Sequence, residues 1–233
     1  MHRWLVILLT VPACLTSEAI DDLDTSTMIS EARCDPWGCG TNSATVGDGI
    51  IFDELDWSGM SANSGGVKIV GAKAADGREV KLRVRRHELY AVALDGSREY
   101  HHGQLENLIV QMSHPSTKFE LQITGIKEND LRFWRGLPEV VPAYEIHARL
   151  PGEIGFKDPI CKNSILAEDP RWASVPHSAL VFQWDHYDPV RKTVTETAPD
   201  TTWFNLACAG TAPAKLHLQR HTRAGSLDRK SVV

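Results

Sequence analysis

From Val67 onward, apolar side chains recur at every second position, and that spacing limits the folds open to the chain. Val67 and Ile69 begin it. Val80, Leu82 and Val84 follow the turn Asp76-Gly77, and Leu89, Ala91 and Ala93 run up to Asp95-Gly96. Leu108, Val110 and Met112 come next, then Phe119, Leu121 and Ile123, then Tyr144, Ile146, Ala148 and Leu150. In a strand, alternate side chains share one face, so each segment reads as a strand with one face buried and one wet. Asp-Gly and Pro punctuation between them fits hairpins of an antiparallel sheet. The triplet Arg83, Arg85 and Arg86 alternates with Leu82 and Val84, and reads as the solvated face of one such strand.

The remaining segments are less regular. Pro138, Pro142 and Pro151 exclude a long helix after Trp134. Residues 152–178 read as a loop, rich in Gly and Pro and carrying Cys161. Residues 179–187 and 192–197 read as a strand pair joined through Tyr187-Asp188-Pro189. In Trp203 to Thr222, Asp200, Thr201 or Thr202 can cap a helix, with Trp203, Leu206 and Ala207 on one side. Gly210 and Pro213 divide it, and Thr211 can cap a second piece. The expected fold is therefore mainly β (α+β): an antiparallel sandwich or half-barrel with a C-terminal helical segment packed on it.

The N-terminus addresses the chain to an oxidising compartment. Arg3 precedes the apolar run Trp4 to Leu9, too short to span a bilayer and suited to a signal peptide over residues 1–19. Two exits are open. Val11-Pro12-Ala13-Cys14 resembles a lipobox, which makes Cys14 the lipid-bearing first residue of a cell-envelope lipoprotein and attaches it to the membrane. Ser17-Glu18-Ala19 instead offers small-x-small cleavage and a secreted protein from Ile20. Residues 20–66 then comprise a polar, acidic linker (20–33) and an irregular cystine-bearing arm, with Trp37 and Trp57 as anchors.

Four cysteines remain: Cys34, Cys39, Cys161 and Cys208. An even number in an exported chain reads as a disulfide framework with three possible pairings. Cys34 and Cys39 bracket the turn-forming Asp-Pro-Trp-Gly, the easiest local closure, which leaves Cys161 with Cys208.

Candidate chemistry is sparse. His217 and His221 stand four apart and would share a helix face, so with Cys161 and Cys208 they are weak candidates for a metal set. Arg220, His221 and Arg223 also suit a cationic helix end, and Cys-x-x-Cys spacing is missing, so no metal is expected. His101 and His102 are adjacent, and on a strand would point to opposite faces. Asp53-Glu54-Leu55-Asp56 reads as a solvated acidic turn, because the Asp-x-Asp-x-Asp-Gly calcium pattern is missing. The chain has no Gly-x-Ser-x-Gly, Ser-x-x-Lys or His-Glu-x-x-His motif, so no catalytic residue or cofactor is expected. A net charge of −5 gives no electrostatic footprint for nucleic acid. Seven tryptophans read chiefly as core, although an exposed one could stack on a ligand.

The stretches CDPWGCGTNSATVGDGIIFDELD and WFNLACAGTAPAKLHLQRHT resemble the ADYC domain-containing proteins, an exported bacterial family. The likeness runs from about Cys34 to Thr222 and implies no catalytic residue. The Ala-Asp-Tyr-Cys motif that names the family does not follow Thr222; the sequence ends AGSLDRKSVV. Residues 67–222 are accordingly expected to be a C-terminally truncated, β-rich ADYC-like domain, with 223–233 a divergent tail. The expected role is a non-enzymatic cell-envelope lipoprotein or secreted interaction module. The alternative is a secreted hydrolase or metal-dependent enzyme around Cys208, His217 and His221.

Overall fold

A computed structural model describes residues 44–47, 49–51, 54–132, 140–162, 177–183, 185–188, 193–196, 202–211, 214 and 218. All belong to one compact unit, Gly40–Val233. The expected signal peptide, Cys14, Cys34, Cys39, the expected acidic linker, His217, His221 and residues 223–233 lie outside the described residues, so the expectations placed on them are neither met nor overturned.

The described fold is mainly β and antiparallel. Its strands in chain order are β1 (Thr45–Val46), β2 (Ile50–Ile51), β3 (Glu54–Asp56), β4 (Lys68–Lys73), β5 (Val80–Arg85), β6 (Glu88–Ala93) and β7 (Glu99–Tyr100). They continue with β8 (Ile109–His114), β9 (Thr117–Arg132), β10 (Val140–Arg149), β11 (Asp158–Pro159), β12 (Ser178–Gln183), β13 (Asp185–Asp188), β14 (Thr193–Glu196) and β15 (Trp203–Cys208). The main sheet runs β3-β15-β12-β10-β9-β8-β4, with β11 added on β10. Its two edge strands, β3 and β4, lie against each other, so the sheet curls into a nearly closed half-barrel.

Side chains of one loop hold that seam. Asn63 is buried; its Nδ2 donates to the Glu54 carbonyl and its Oδ1 accepts from the Val67 N–H. One side chain thereby ties the end of the barrel at β3 to the start of β4. Gly59, at φ +69°, brings its backbone so near β4 that a Cβ there would sit 2.6 Å from the Ile69 carbonyl oxygen. Both the left-handed backbone and the close approach call for glycine.

A second sheet, β5-β6-β7, packs on β4 and β12. Its inward residues Val80, Leu82, Val84, Leu89 and Ala91 join the same core as Ile69, Val110, Leu121, Ile123, Ile146, Val181, Phe204 and Leu206. The β6 backbone is tied to the barrel where Leu89 N–H donates to the Tyr144 hydroxyl at 2.9 Å. The β5–β6 turn carries Arg86 and His87 at φ +52° and +66°, a conformation that glycine or asparagine takes more readily. It is held by β12: Arg86 N–H donates to Gln183 Oε1, and the buried His87 accepts from Gln183 N–H.

All six alternating segments are strands, and their inward residues from Val67 to Ala148 are buried. Arg83 and Arg85 lie on the outer face of β5 as expected, whereas Arg86 lies in the β5–β6 turn. Residues 179–197 differ: Ser178–Gln183 belongs to the main sheet, and the strand pair is β13–β14.

Trp203–Cys208 is the larger correction. It is a strand between β12 and β3, not the start of a helix. Phe204, Leu206 and Cys208 face the barrel core. Ala207 and Ala209 join a second apolar cluster with Val141, Ala143, Leu180 and Phe182. With both faces covered, period two disappears from the sequence and a short apolar run is left, which helix and strand share. Beyond Thr211, Ala214 and Leu218 are described and both are buried in that second cluster.

Candidate functional site

The lumen of the half-barrel is filled. Leu82 and Leu89 from the second sheet meet Leu55, Val110, Met112, Ile123, Val181 and Phe204, leaving an apolar void of about 30 Å3. That is room for about one water at most, and an apolar lining gives it no partners. Any ligand larger than that must use the outside of the barrel.

Cys161 and Cys208 are bonded to each other, their Cα atoms 5.4 Å apart and their side chains buried. The bridge ties the segment after β11 to the end of β15. His177 Nδ1 lies 3.0 Å from the Cys161 backbone carbonyl oxygen. As a cystine, the pair offers no thiolate to a metal or a substrate, so the cysteine half of the imagined Cys2His2 set is spent in the covalent tie. Among the described residues, no three His, Cys, Asp or Glu side chains converge to hold a metal.

Within the acidic run, Glu54 to Asp56 is not a solvated turn. Glu54 and Asp56 lie in β3 and are buried. Burial works to raise the Asp56 carboxyl. It is outweighed by hydrogen bonds from the Ser58 hydroxyl, Thr202 and the Ser61 and Ser58 N–H groups, which hold the carboxyl below its ordinary value. Asp56 therefore folds the loop after β3 around its own carboxylate.

His101 and His102 also depart from expectation. The strand ends at Tyr100, and His102 opens a 3-10 turn, His102–Leu105, at φ +50°. The turn swings both rings to one side, 6.2 Å apart. His101 Nε2 reaches Glu99 at 2.5 Å, and His102 Nδ1 reaches Glu88 at 3.3 Å and Glu128 at 3.5 Å. Tyr90 stacks on His101, and Arg85 covers Tyr90 and pairs with Glu99. The nearby Tyr144 hydroxyl is buried, which with the Glu88 and Glu128 charges pushes its pKa far above the usual range, so it stays a neutral tie to Leu89. The cluster pairs imidazoles with carboxylates on the surface, and among the described residues its ion-pair partners are Glu99, Glu88 and Glu128.

Three grooves mark the outer face. The first, about 520 Å3, runs over β8, β9 and the loop after β10, where Arg149 binds Glu120 and stacks on Phe156. A second, about 540 Å3, opens between the β1–β2 hairpin and the β8–β9 turn, with exposed Ile51 at its rim. The third, about 430 Å3, follows β4 on one wall and β5 on the other, with Trp57, Val70 and Leu94 among its apolar surface. Trp57 is anchored by stacking on Phe204 at 6.3 Å. Charged residues on its walls are Lys68, Lys73, Lys81 and Glu79. The sequence pattern did not single out these lysines. The available signal was their placement with the exposed Val70 on and beside an edge strand.

No family model matches the chain, and neither a curated protein nor a solved structure matches it.

Proposed function

We propose that this is an exported, non-enzymatic interaction module of the bacterial cell envelope, related to the ADYC domain-containing proteins and braced by disulfides. The observation that carries the reading is the buried Cys161–Cys208 bridge, which suits an oxidising compartment. The filled lumen supports it from another side, since recognition is then left to the outer surface. Cleavage after a signal peptide leaves either a lipid on Cys14 or a soluble secreted protein from Ile20. Ala214 and Leu218, four apart and both buried in the second apolar cluster, support the expected C-terminal helical segment packed on the sheet.

A non-reducing peptide map of the mature protein tests the reading. It is expected to return a start at Cys14 bearing a diacylglyceryl group, or at Ile20, together with a peptide pair linked through Cys161 and Cys208. An uncleaved cytosolic chain with free thiols would refute it. Cys14→Ser separates the two exits: release of the variant from membranes supports the lipoprotein, and unchanged membrane attachment counts against the lipid.

A further inference from the structure

Resting on the reading of an interaction module, we propose that the groove between β4 and β5 binds an extended acidic segment of a partner protein. Carboxylates of that segment meet Lys68, Lys73 and Lys81, and its apolar side chains meet Val70 and Leu94.

The charge balance is local and opposite to that of the whole. The chain carries a net charge of −5, yet the groove walls hold three lysines against one carboxylate, Glu79. None of the three lysines pairs with a carboxylate among the described residues, whereas Arg78, Arg98, Lys127, Arg149 and Lys162 all do. A groove with surplus, uncommitted cations between low walls attracts and orients an anionic chain.

Shape selects the kind of anion. Lys68 and Lys73 stand at the two ends of β4, about 16 Å apart by strand rise. Between them Val70 is 53% exposed, and Leu94 on the facing side is 54% exposed. Two separated cations with apolar surface between them fit an extended chain whose carboxylates lie about four or six positions apart, so that both face the groove together with the apolar residues at the even positions between them. The groove is bounded on one side by Trp57-Ser58-Gly59 and on the other by β5, so it suits a narrow chain better than a flat bilayer. Gly71 in its floor keeps the contact shallow: the Gln111 side chain lies over it, with Oε1 only 2.8 Å from where a Cβ would stand.

The test is fluorescence anisotropy with the disulfide-intact mature protein and a short labelled peptide bearing two glutamates about six positions apart, with valine and leucine at the even positions between them. Saturable binding is expected, weakened about tenfold or more by Lys68→Glu/Lys73→Glu/Lys81→Glu and by added salt. Leu94→Asp is expected to weaken it too, while Lys118→Glu in the neighbouring groove leaves it unchanged. A melting temperature shared with the parent shows that each variant is folded. Equal binding by the triple variant, or by a peptide with lysines in place of glutamates, overturns the proposal. So does tighter binding to anionic vesicles or to heparin, which would make the patch a membrane or general polyanion site. Loss of peptide binding leaves the bridge and the mature start intact, whereas a reduced, uncleaved native protein refutes the export reading whatever the titration gives.

Discussion

At the scale of single residues, the seam of the half-barrel depends on two polar side chains that sequence alone undervalued. Asn63 satisfies the Glu54 carbonyl and the Val67 N–H inside the protein, where water cannot replace it. Asn63→Ala is expected to cost about 1–3 kcal/mol for each group left unpaired, read as a lower urea midpoint at unchanged slope. Asp56 does comparable work as an anion. Its carboxyl titrates below its ordinary value of 3.8, so the folded state holds fewer protons than the unfolded one in that range. The stability it contributes is complete above the ordinary carboxylate range and is lost as pH falls through the folded value. Asp56→Asn is expected to destabilise the neutral protein by about 1–3 kcal/mol and to flatten the acid limb of a stability–pH profile. A remaining slope comes from Asp76, held low first by the Tyr100 hydroxyl, and Asp95, held low first by the Ser97 hydroxyl.

Among elements, legibility followed burial. Strands with one wet face, such as β5 with Val80, Leu82 and Val84 turned inward, wrote their geometry into the sequence as alternation. Strand β15 did not, because Phe204 and Leu206 face one apolar cluster and Ala207 the other. Strand β3 hid differently: its acidic residues look like a wet turn until Ser58 and Ser61 are seen to donate to the Asp56 carboxylate and Asn63 to the Glu54 backbone carbonyl. The groove lysines were invisible as a set, since Lys68 and Lys73 on β4 meet Lys81 on β5 only through tertiary folding. The bridge joins the segment after β11 to the end of β15. It closes a loop of 47 residues. Cys161→Ala/Cys208→Ala is therefore expected to lower stability by about 3–4 kcal/mol, seen in urea unfolding. Dithiothreitol should lower the midpoint of the parent protein and leave that double variant unmoved.

On the scale of the whole molecule, two sheets share one core, and the second fills the barrel made by the first. Leu82 and Leu89 stand in the space that an open barrel would offer to a ligand, and the residual void of about 30 Å3 is dry by its lining. Under the proposed reading recognition falls to the outer grooves, and the interior serves as a structural volume. Leu89→Ala tests that division of labour. Its hydrogen bond to Tyr144 is made by the backbone and survives the substitution, so the change is confined to packing. The expected cost is about 2–5 kcal/mol, the upper part of that range if the surrounding strands fail to collapse into the gap. An enlarged apolar void should then accept benzene or xenon, raising the melting temperature of the variant in proportion to ligand occupancy and leaving the parent unchanged. A parent protein stabilised just as strongly by benzene would show that the barrel already holds a usable apolar chamber, and would return ligand binding from the grooves to the lumen.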